Sequence, residues 1–355
     1  MPLTTIKGTN MGAAIITSTQ FSTTGTESSS NVLKGTGAWT AASRSGVTNY
    51  AASDPASPNA GDIWYTNGQV KVAANPNLLT GVWNSGGNMT RSQEQGPCCG
   101  TLNAGLLAGG ENSGYKTQTD FYNGTIWSDS GADLATARAN SPAIGTNTAC
   151  VIMGGSSTGT TLSSCEEFNG ASWSAGGSLS DTLSSGVSNA FGILSAGVLA
   201  GGSLGGSTVA TTQKYNGTTW SAGNNLLATR NYSACAGKDS AGSVTGGTGN
   251  LTTTEEYDGT SWVAAGTLNT GRAQLTGVGT QAAALVFAGS TGSNSTVTEE
   301  YDGATWTAAN SLTTARRSAG GAGSQSKAFV TGGYGSGYLN STEEYTKPQI
   351  QYYNV

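Results

Sequence analysis

Short apolar runs recur along this chain at a nearly constant spacing, each ended by glycine and followed by a polar, Thr/Glu-rich stretch. The runs are Leu106-Leu107-Ala108-Gly109-Gly110, Val151-Ile152-Met153-Gly154-Gly155, Val198-Leu199-Ala200-Gly201-Gly202, Val244-Thr245-Gly246-Gly247, Val286-Phe287-Ala288-Gly289 and Phe329-Val330-Thr331-Gly332-Gly333. Runs this short, bounded by residues that permit positive φ or close approach, predict buried β-strands near a crowded axis rather than helices. Tryptophan keeps the same period: Trp83, Trp127, Trp173, Trp220, Trp262 and Trp306 are separated by 44, 46, 47, 42 and 44 residues. Internal repetition of this length is the signature of a repeat fold, in which each unit buries its apolar face against the next.

Between the polar strand and the Trp strand stand Asn123-Gly124, Asn169-Gly170, Asn216-Gly217, Asp258-Gly259 and Asp302-Gly303. Such pairs predict type I′ hairpin turns, which need positive φ at both central residues. The order of glycine pair, aromatic, turn and Trp resembles the kelch family of propellers, whose repeat is about 50 residues with four strands per blade. The resemblance covers Trp83 to Val355, and it implies an all-β, six-bladed propeller. The repeats here are shorter and carry less charge than the family's, and Ala288-Gly289 replaces one glycine pair.

Counting strands also predicts how the ring closes. The last unit runs through Glu343-Glu344-Tyr345 and then breaks at Thr346-Lys347-Pro348 without a turn or a Trp, so it lacks an outer strand. Trp83 precedes any glycine-pair strand, so its unit lacks the inner ones. We therefore expect the Trp83 strand to complete the blade that begins at Arg316, removing an open strand edge.

Composition narrows the function classes. The chain has 355 residues, 55 of them Gly, no His, 10% charged residues and a net charge of −5, which opposes the basic footprint of nucleic-acid binding. No apolar stretch approaches the roughly 18 residues of a membrane span, and the start lacks a signal-peptide pattern, so neither insertion nor secretion is expected. Cys98, Cys99, Cys150, Cys165 and Cys235 show no zinc spacing. They read as buried thiols, with a Cys150–Cys165 disulfide open if a turn lies between Ser157 and Thr158.

Candidate chemistry dissolves into structure under the repeat. Glu166-Glu167, Glu255-Glu256, Glu299-Glu300 and Glu343-Glu344 look like carboxylate pairs, but neighbours on a strand point to opposite faces. Arg91, Arg138, Arg230, Arg272 and Arg316 each accompany an acid two residues before the strand-ending aromatic: Asp120, Glu166, Glu255, Glu299 and Glu343. The unit starting near Leu183 has no Arg, and Gln213 stands at its acid position. Joint loss is what a buried Arg–carboxylate bridge within each blade produces. The repeated Trp and Tyr read as packing between blades before they read as a sugar-stacking platform. The sequons at Asn88, Asn250 and Asn294 are expected by chance in a Ser/Thr-rich chain. A copper site like that of galactose oxidase, and any triad that uses His, are excluded because there is no His. Glycoside hydrolysis by two carboxylates stays open. The expectation is a protein that is not an enzyme, with no catalytic, cofactor-binding or metal-ligating residue assigned.

Three segments follow: a docking arm over 1–60, a hairpin connector over 61–80 and the propeller over 81–355. The arm holds apolar anchors, Gly12-Ala13-Ala14-Ile15-Ile16 and Asn31-Val32-Leu33, but no periodicity that defines a core of its own. Asn59 to Val72 (NAGDIWYTNGQVKV) is a hairpin signature similar to a short module of tail-fibre and appendage proteins of tailed bacteriophages, and the propeller repeats resemble proteins of marine phages. The resemblance implies a virion component assembled in the host cytoplasm: a tail fibre, appendage or capsid decoration. Its arm would contact other virion proteins or further copies of the chain in a symmetric assembly, and its propeller a host glycan or receptor. A secreted lectin-like propeller is the alternative. The end loops, short, Ser/Gly/Thr-rich and without a charged or aromatic cluster, vary most over 201–210 and 332–340.

Overall fold

A computed structural model describes residues 47–49, 63–66, 69–72, 81–184, 186, 188–347 and 353–354. Two compact units partition the chain, one over Gly81–Lys347 and the other from the flanking segments.

The larger unit is a six-bladed β-propeller of four-stranded antiparallel sheets. Blade 1 contains Cys98–Thr101, Ala104–Ala108, Thr119–Tyr122 and Trp127–Asp129. Blade 2 contains Ala143–Thr146, Ala149–Met153, Cys165–Phe168 and Trp173–Ala175. Blade 3 contains Ala190–Ile193, Ala196–Leu204, Ser207–Tyr215 and Trp220–Ala222. Blade 4 contains Ala234–Lys238, Ala241–Thr245, Thr254–Tyr257 and Trp262–Ala265. Blade 5 contains Thr276–Thr280, Ala283–Phe287, Thr298–Tyr301 and Trp306–Ala309. Blade 6 contains Gly320–Gly323, Lys327–Thr331 and Thr342–Thr346, and Val82–Ser85 supplies its outer strand. Tyr345 pairs with Trp83 and Glu343 with Ser85, which is the closure that strand counting predicts.

The first strands of the blades touch one another in cyclic order and so line the axis. The apolar runs, expected near the axis, are the second strands instead. Close approach limits side-chain size where the first strands meet at particular positions. A Cβ on Gly320 would stand 2.4 Å from the Cys98 Sγ, and one on Gly277 would stand 2.8 Å from the Ala234 Cβ.

Two further expectations change. Tyr122 pairs with Trp127, so the Asn-Gly hairpins have four-residue loops, not two-residue type I′ turns. Gly124 has φ 86° and Asn123 has no positive φ; its Oδ1 instead accepts from the Thr125 and Ile126 N–H groups, both at 2.9 Å. The Cys150–Cys165 pairing also fails, because Cys150 lies opposite Phe168 and Cys165 opposite Met153. All five cysteines are free and buried, and the Cys150 thiol lies beside Cys99 of blade 1.

In the smaller unit, Ile63–Thr66 and Gln69–Val72 form an antiparallel hairpin with Thr66 opposite Gln69. Val47–Asn49 adds in parallel on one side and Tyr353–Asn354 on the other. The compact propeller unit spans Gly81–Lys347. The predicted docking arm, with its anchors at 12–16 and 31–33, lies outside the described residues apart from 47–49.

Candidate functional site

Most of the singled-out polar residues serve the boundaries between blades. Arg138 shows the scheme. Its backbone belongs to blade 1, donating to Lys116 O at 3.1 Å and accepting from the Gly110 N–H at 2.8 Å. Its fully buried guanidinium crosses to blade 2, donating to Gly154 O, Ser164 O and Glu166, the last at 2.8 Å. Arg230 reaches Glu255, Arg272 reaches Glu299 at 2.7 Å and Arg316 reaches Glu343 at 2.9 Å in the same way. The pairing inferred from joint loss is present, but it rivets neighbouring sheets instead of lying within one. Each glutamate also accepts from the connector's N–H groups, as Glu166 does from Ala135 at 2.6 Å and Thr136 at 3.1 Å. Burial pulls the Arg138, Arg272 and Arg316 pKa down, and the paired carboxylate opposes it.

Where blade 6 meets blade 1, Gln93 occupies the arginine's backbone position and donates to Gly109 O at 3.0 Å. Arg91 donates to the Gln93 Oε1 at 2.8 Å and to Asp120 at 2.7 Å. Where blade 2 meets blade 3, buried Leu183 replaces the arginine, and Gln213 keeps only the cap by accepting from the Ser180 N–H at 3.0 Å.

Two more sets of cross-boundary contacts escaped sequence reasoning. The second glutamate of each pair accepts from a tyrosine of the next blade: Tyr215 on Glu167, Tyr301 on Glu256 at 2.9 Å, Tyr345 on Glu300 at 2.6 Å, and Tyr122 on Glu344. Burial, then the bonded Glu256, pushes the Tyr301 hydroxyl up to about 12. The signal was present: blade 1 carries Phe121 where others carry Glu, and its partner is Phe168 rather than Tyr, with ring centroids 5.9 Å apart. Lys214 takes the same place in blade 3, 6.0 Å from the Tyr257 ring centroid. The indoles make the other set. Trp83, Trp127, Trp173, Trp262 and Trp306 donate to Thr298, Thr342, Thr119, Thr212 and Thr254 of the preceding blade at 2.9–3.1 Å. Trp220 has no such partner, because Cys165 stands where the threonine would be.

With those side chains committed, the axial mouth stands apart. At the end where the first strands begin, Gln95, Asn140, Tyr232, Gln274 and Ser318 all adopt left-handed φ, between 50° and 58°. They join around the axis: the Gln95 N–H donates to Ser318 O (2.8 Å), Ser318 to Gln274 O (3.0 Å), Gln274 to Tyr232 O (2.8 Å) and Asn140 to Gln95 O (3.2 Å). A cavity of about 10 Å³, the room of one water, lies against these five residues together with Gly186 and Leu275.

Charged and aromatic side chains surround this mouth, correcting the expectation that the end loops hold no such cluster. Glu94 and Glu111 exchange backbone hydrogen bonds at 3.0 and 2.8 Å, and Tyr115 pairs with Glu111. Arg317 lies 4.8 Å from the Tyr334 ring centroid and donates to the Asn294 Oδ1 at 2.9 Å, while Tyr338 meets Tyr334 edge-on. Burial pushes the Glu94 carboxyl above its usual range; Arg317 opposes this and Glu111 adds to it. Burial, then the charges of Glu94 and Tyr115, pushes the Tyr232 hydroxyl above its usual range. These groups come from positions up to 244 residues apart, and only their departure from the repeat consensus could have marked them. The variable segment 332–340 contributes Tyr334 and Tyr338, and the segment 201–210 forms the extended hairpin of blade 3.

Comparison with protein-family models and with curated proteins returns no match. Among the described residues no group of three or more His, Cys, Asp or Glu side chains is placed to hold a metal ion, and no helix is long and apolar enough to cross a membrane.

Proposed function

We propose that the protein is a non-catalytic binding module of a phage virion, displaying a rigid propeller whose axial mouth is the recognition surface. One observation carries the binding reading. The repeat's buried Arg, Glu and Tyr groups mostly bond to neighbouring blades, whereas Glu94, Glu111, Tyr115, Tyr232, Arg317 and Tyr334 gather half-exposed at one end of the axis. Convergent polar and aromatic groups on a rigid scaffold are what a recognition site requires. The virion setting is supported by the resemblance of the 59–72 segment to phage appendage modules and of the repeats to marine-phage proteins.

In this reading residues 1–60 hold the protein to other virion proteins or to further copies of itself, and the propeller projects toward a host receptor. Labelled antibody imaging of purified particles tests it. Full-length protein is expected on the particle, and a chain lacking residues 1–60 is expected to fold and stay off it; a truncated chain that incorporates normally refutes the arm's role. A carboxylate-based glycoside hydrolase is a second reading, favoured by the adjacency of Glu94 and Glu111 with Glu94 raised. Turnover of surface polysaccharide that disappears in Glu94→Gln would establish it in place of the first.

A further inference from the structure

Three side-chain oxygens on the floor of the axial mouth lack a partner. Gln95 Oε1, Asn140 Oδ1 and Ser318 Oγ are buried without a hydrogen-bond partner, and all three residues line the axial cavity. Ser318 is only 4% exposed, so bulk water does not relieve it. Buried acceptors left unmet are costly, and a ligand that supplies donors to several at once gains their whole deficit. We propose that the axial mouth binds a primary ammonium group on an unbranched alkyl stem, the chemistry of a lysine side chain. The proposal rests on reading this face as the recognition surface, and it names the ligand class that face takes.

The chemistry fits at each level. An ammonium carries three donors and no acceptor, matching three unpartnered oxygens. Glu94, next in sequence to the cavity-lining Gln95, and Glu111, bridged to it, bring two carboxylates, and the nearby cation, Arg317, is engaged by the Asn294 Oδ1 and the Tyr334 ring. Tyr232 is one of the residues that line the cavity, within electrostatic reach of Glu94 and Tyr115, and aromatic faces attract ammonium groups. Other ligands fit worse. A calcium ion needs roughly six to eight oxygens, more than the floor presents. Anions meet two carboxylates.

Calorimetry and the tyrosine NMR signals of the full-length protein, titrated with n-butylamine hydrochloride, test the proposal; n-butanol and sodium chloride of equal ionic strength are the controls. Saturable binding of butylamine, absent with butanol and salt, is expected. Glu94→Gln and Tyr232→Leu should each weaken it about tenfold, as loss of a charge-assisted or cation–π partner does, with the unfolding midpoint unchanged. Nα-acetyl-lysine methylamide binding more tightly than putrescine supports a protein lysine as the natural ligand, whereas tighter putrescine or glucosamine binding overturns that assignment. No amine-specific saturation, or a high-resolution structure with the floor occupied by one water that butylamine does not displace, overturns the proposal outright. These results are separable from the function itself: particles that carry the protein while it ignores butylamine refute only the ligand, and butylamine binding by a protein absent from particles refutes only the virion role.

Discussion

The boundary between blades 2 and 3 and the boundary between blades 5 and 6 solve the same packing problem in opposite ways. At the second, Arg316 crosses to Glu343 at 2.9 Å and Trp83 donates to Thr298 at 3.0 Å. At the first, Leu183 stands for the arginine, Gln213 for the acid and Cys165 for the threonine, and an apolar cluster of Met153, Cys165, Leu179, Leu183, Leu199 and Tyr215 fills the space. Both boundaries keep their tyrosine–glutamate bond, Tyr215 to Glu167 and Tyr345 to Glu300. The ring therefore tolerates an uncharged boundary, provided both charges leave together. A buried ion pair is often no more stabilising than well-packed apolar groups, but half of one leaves an unpaired buried charge.

The largest expected effect comes from halving a rivet. Arg316→Leu strands Glu343, which is 4% exposed, and is expected to cost about 3–5 kcal/mol in denaturant unfolding. A midpoint unchanged from the parent would show that the charge finds solvent. Grafting the blade 3 solution whole, as Arg316→Leu with Glu343→Gln, is expected to restore most of that loss, because the introduced amide oxygen can still accept from the Thr313 N–H as Gln213 does from Ser180. A double variant no better than the single one would mean that the apolar filling around Leu183, not the removal of charge, makes the boundary tolerable.

Smaller effects separate the indoles. Trp306→Phe removes a buried donor to Thr254 and is expected to cost about 1 kcal/mol more than Trp220→Phe, whose indole donates to no oxygen. Equal losses would show that packing alone sets the value of these residues.

The smallest effect distinguishes Asp from Asn turns. Backbone N–H bonds from Ser261 and Thr260 lower the Asp258 pKa, and those from Thr305 and Ala304 lower that of Asp302. A depressed carboxylate stabilises the fold above its unfolded pKa and loses that contribution as pH falls through the folded one. Acidification through the carboxylate range should therefore speed amide exchange, corrected for intrinsic rates, at Thr260 and Thr305 relative to Thr125 and Thr218 in the Asn turns. Equal changes in all four loops would remove the distinction.

Much of this was legible in the sequence because repetition turns one chain into several versions of one experiment. Six copies exposed the Trp period, the strand deficit that Val82–Ser85 fills and the covariation of Arg with acid. The direction of the Arg pairs was not legible, since each connector's backbone bonds to one sheet while its side chain enters the next, and sequence order does not separate the two. The hairpin loops were misread because the Asn side chain, by accepting from the loop's N–H groups, stabilises a four-residue loop that the Asn-Gly pair alone does not reveal. The axial cluster was invisible for another reason: Glu94, Tyr232 and Arg317 are distant in the chain and meet only because the ring closes.

Buried charge pairs hold adjacent sheets together across each boundary that has them. A double-mutant cycle on Arg316 and Glu343 measures this directly, using Arg316→Leu, Glu343→Gln and the double variant in denaturant unfolding. A favourable coupling of about 2–3 kcal/mol is expected, because each single variant leaves an unpaired buried group that the double variant removes. A coupling near zero, with the two losses simply adding, would contradict it.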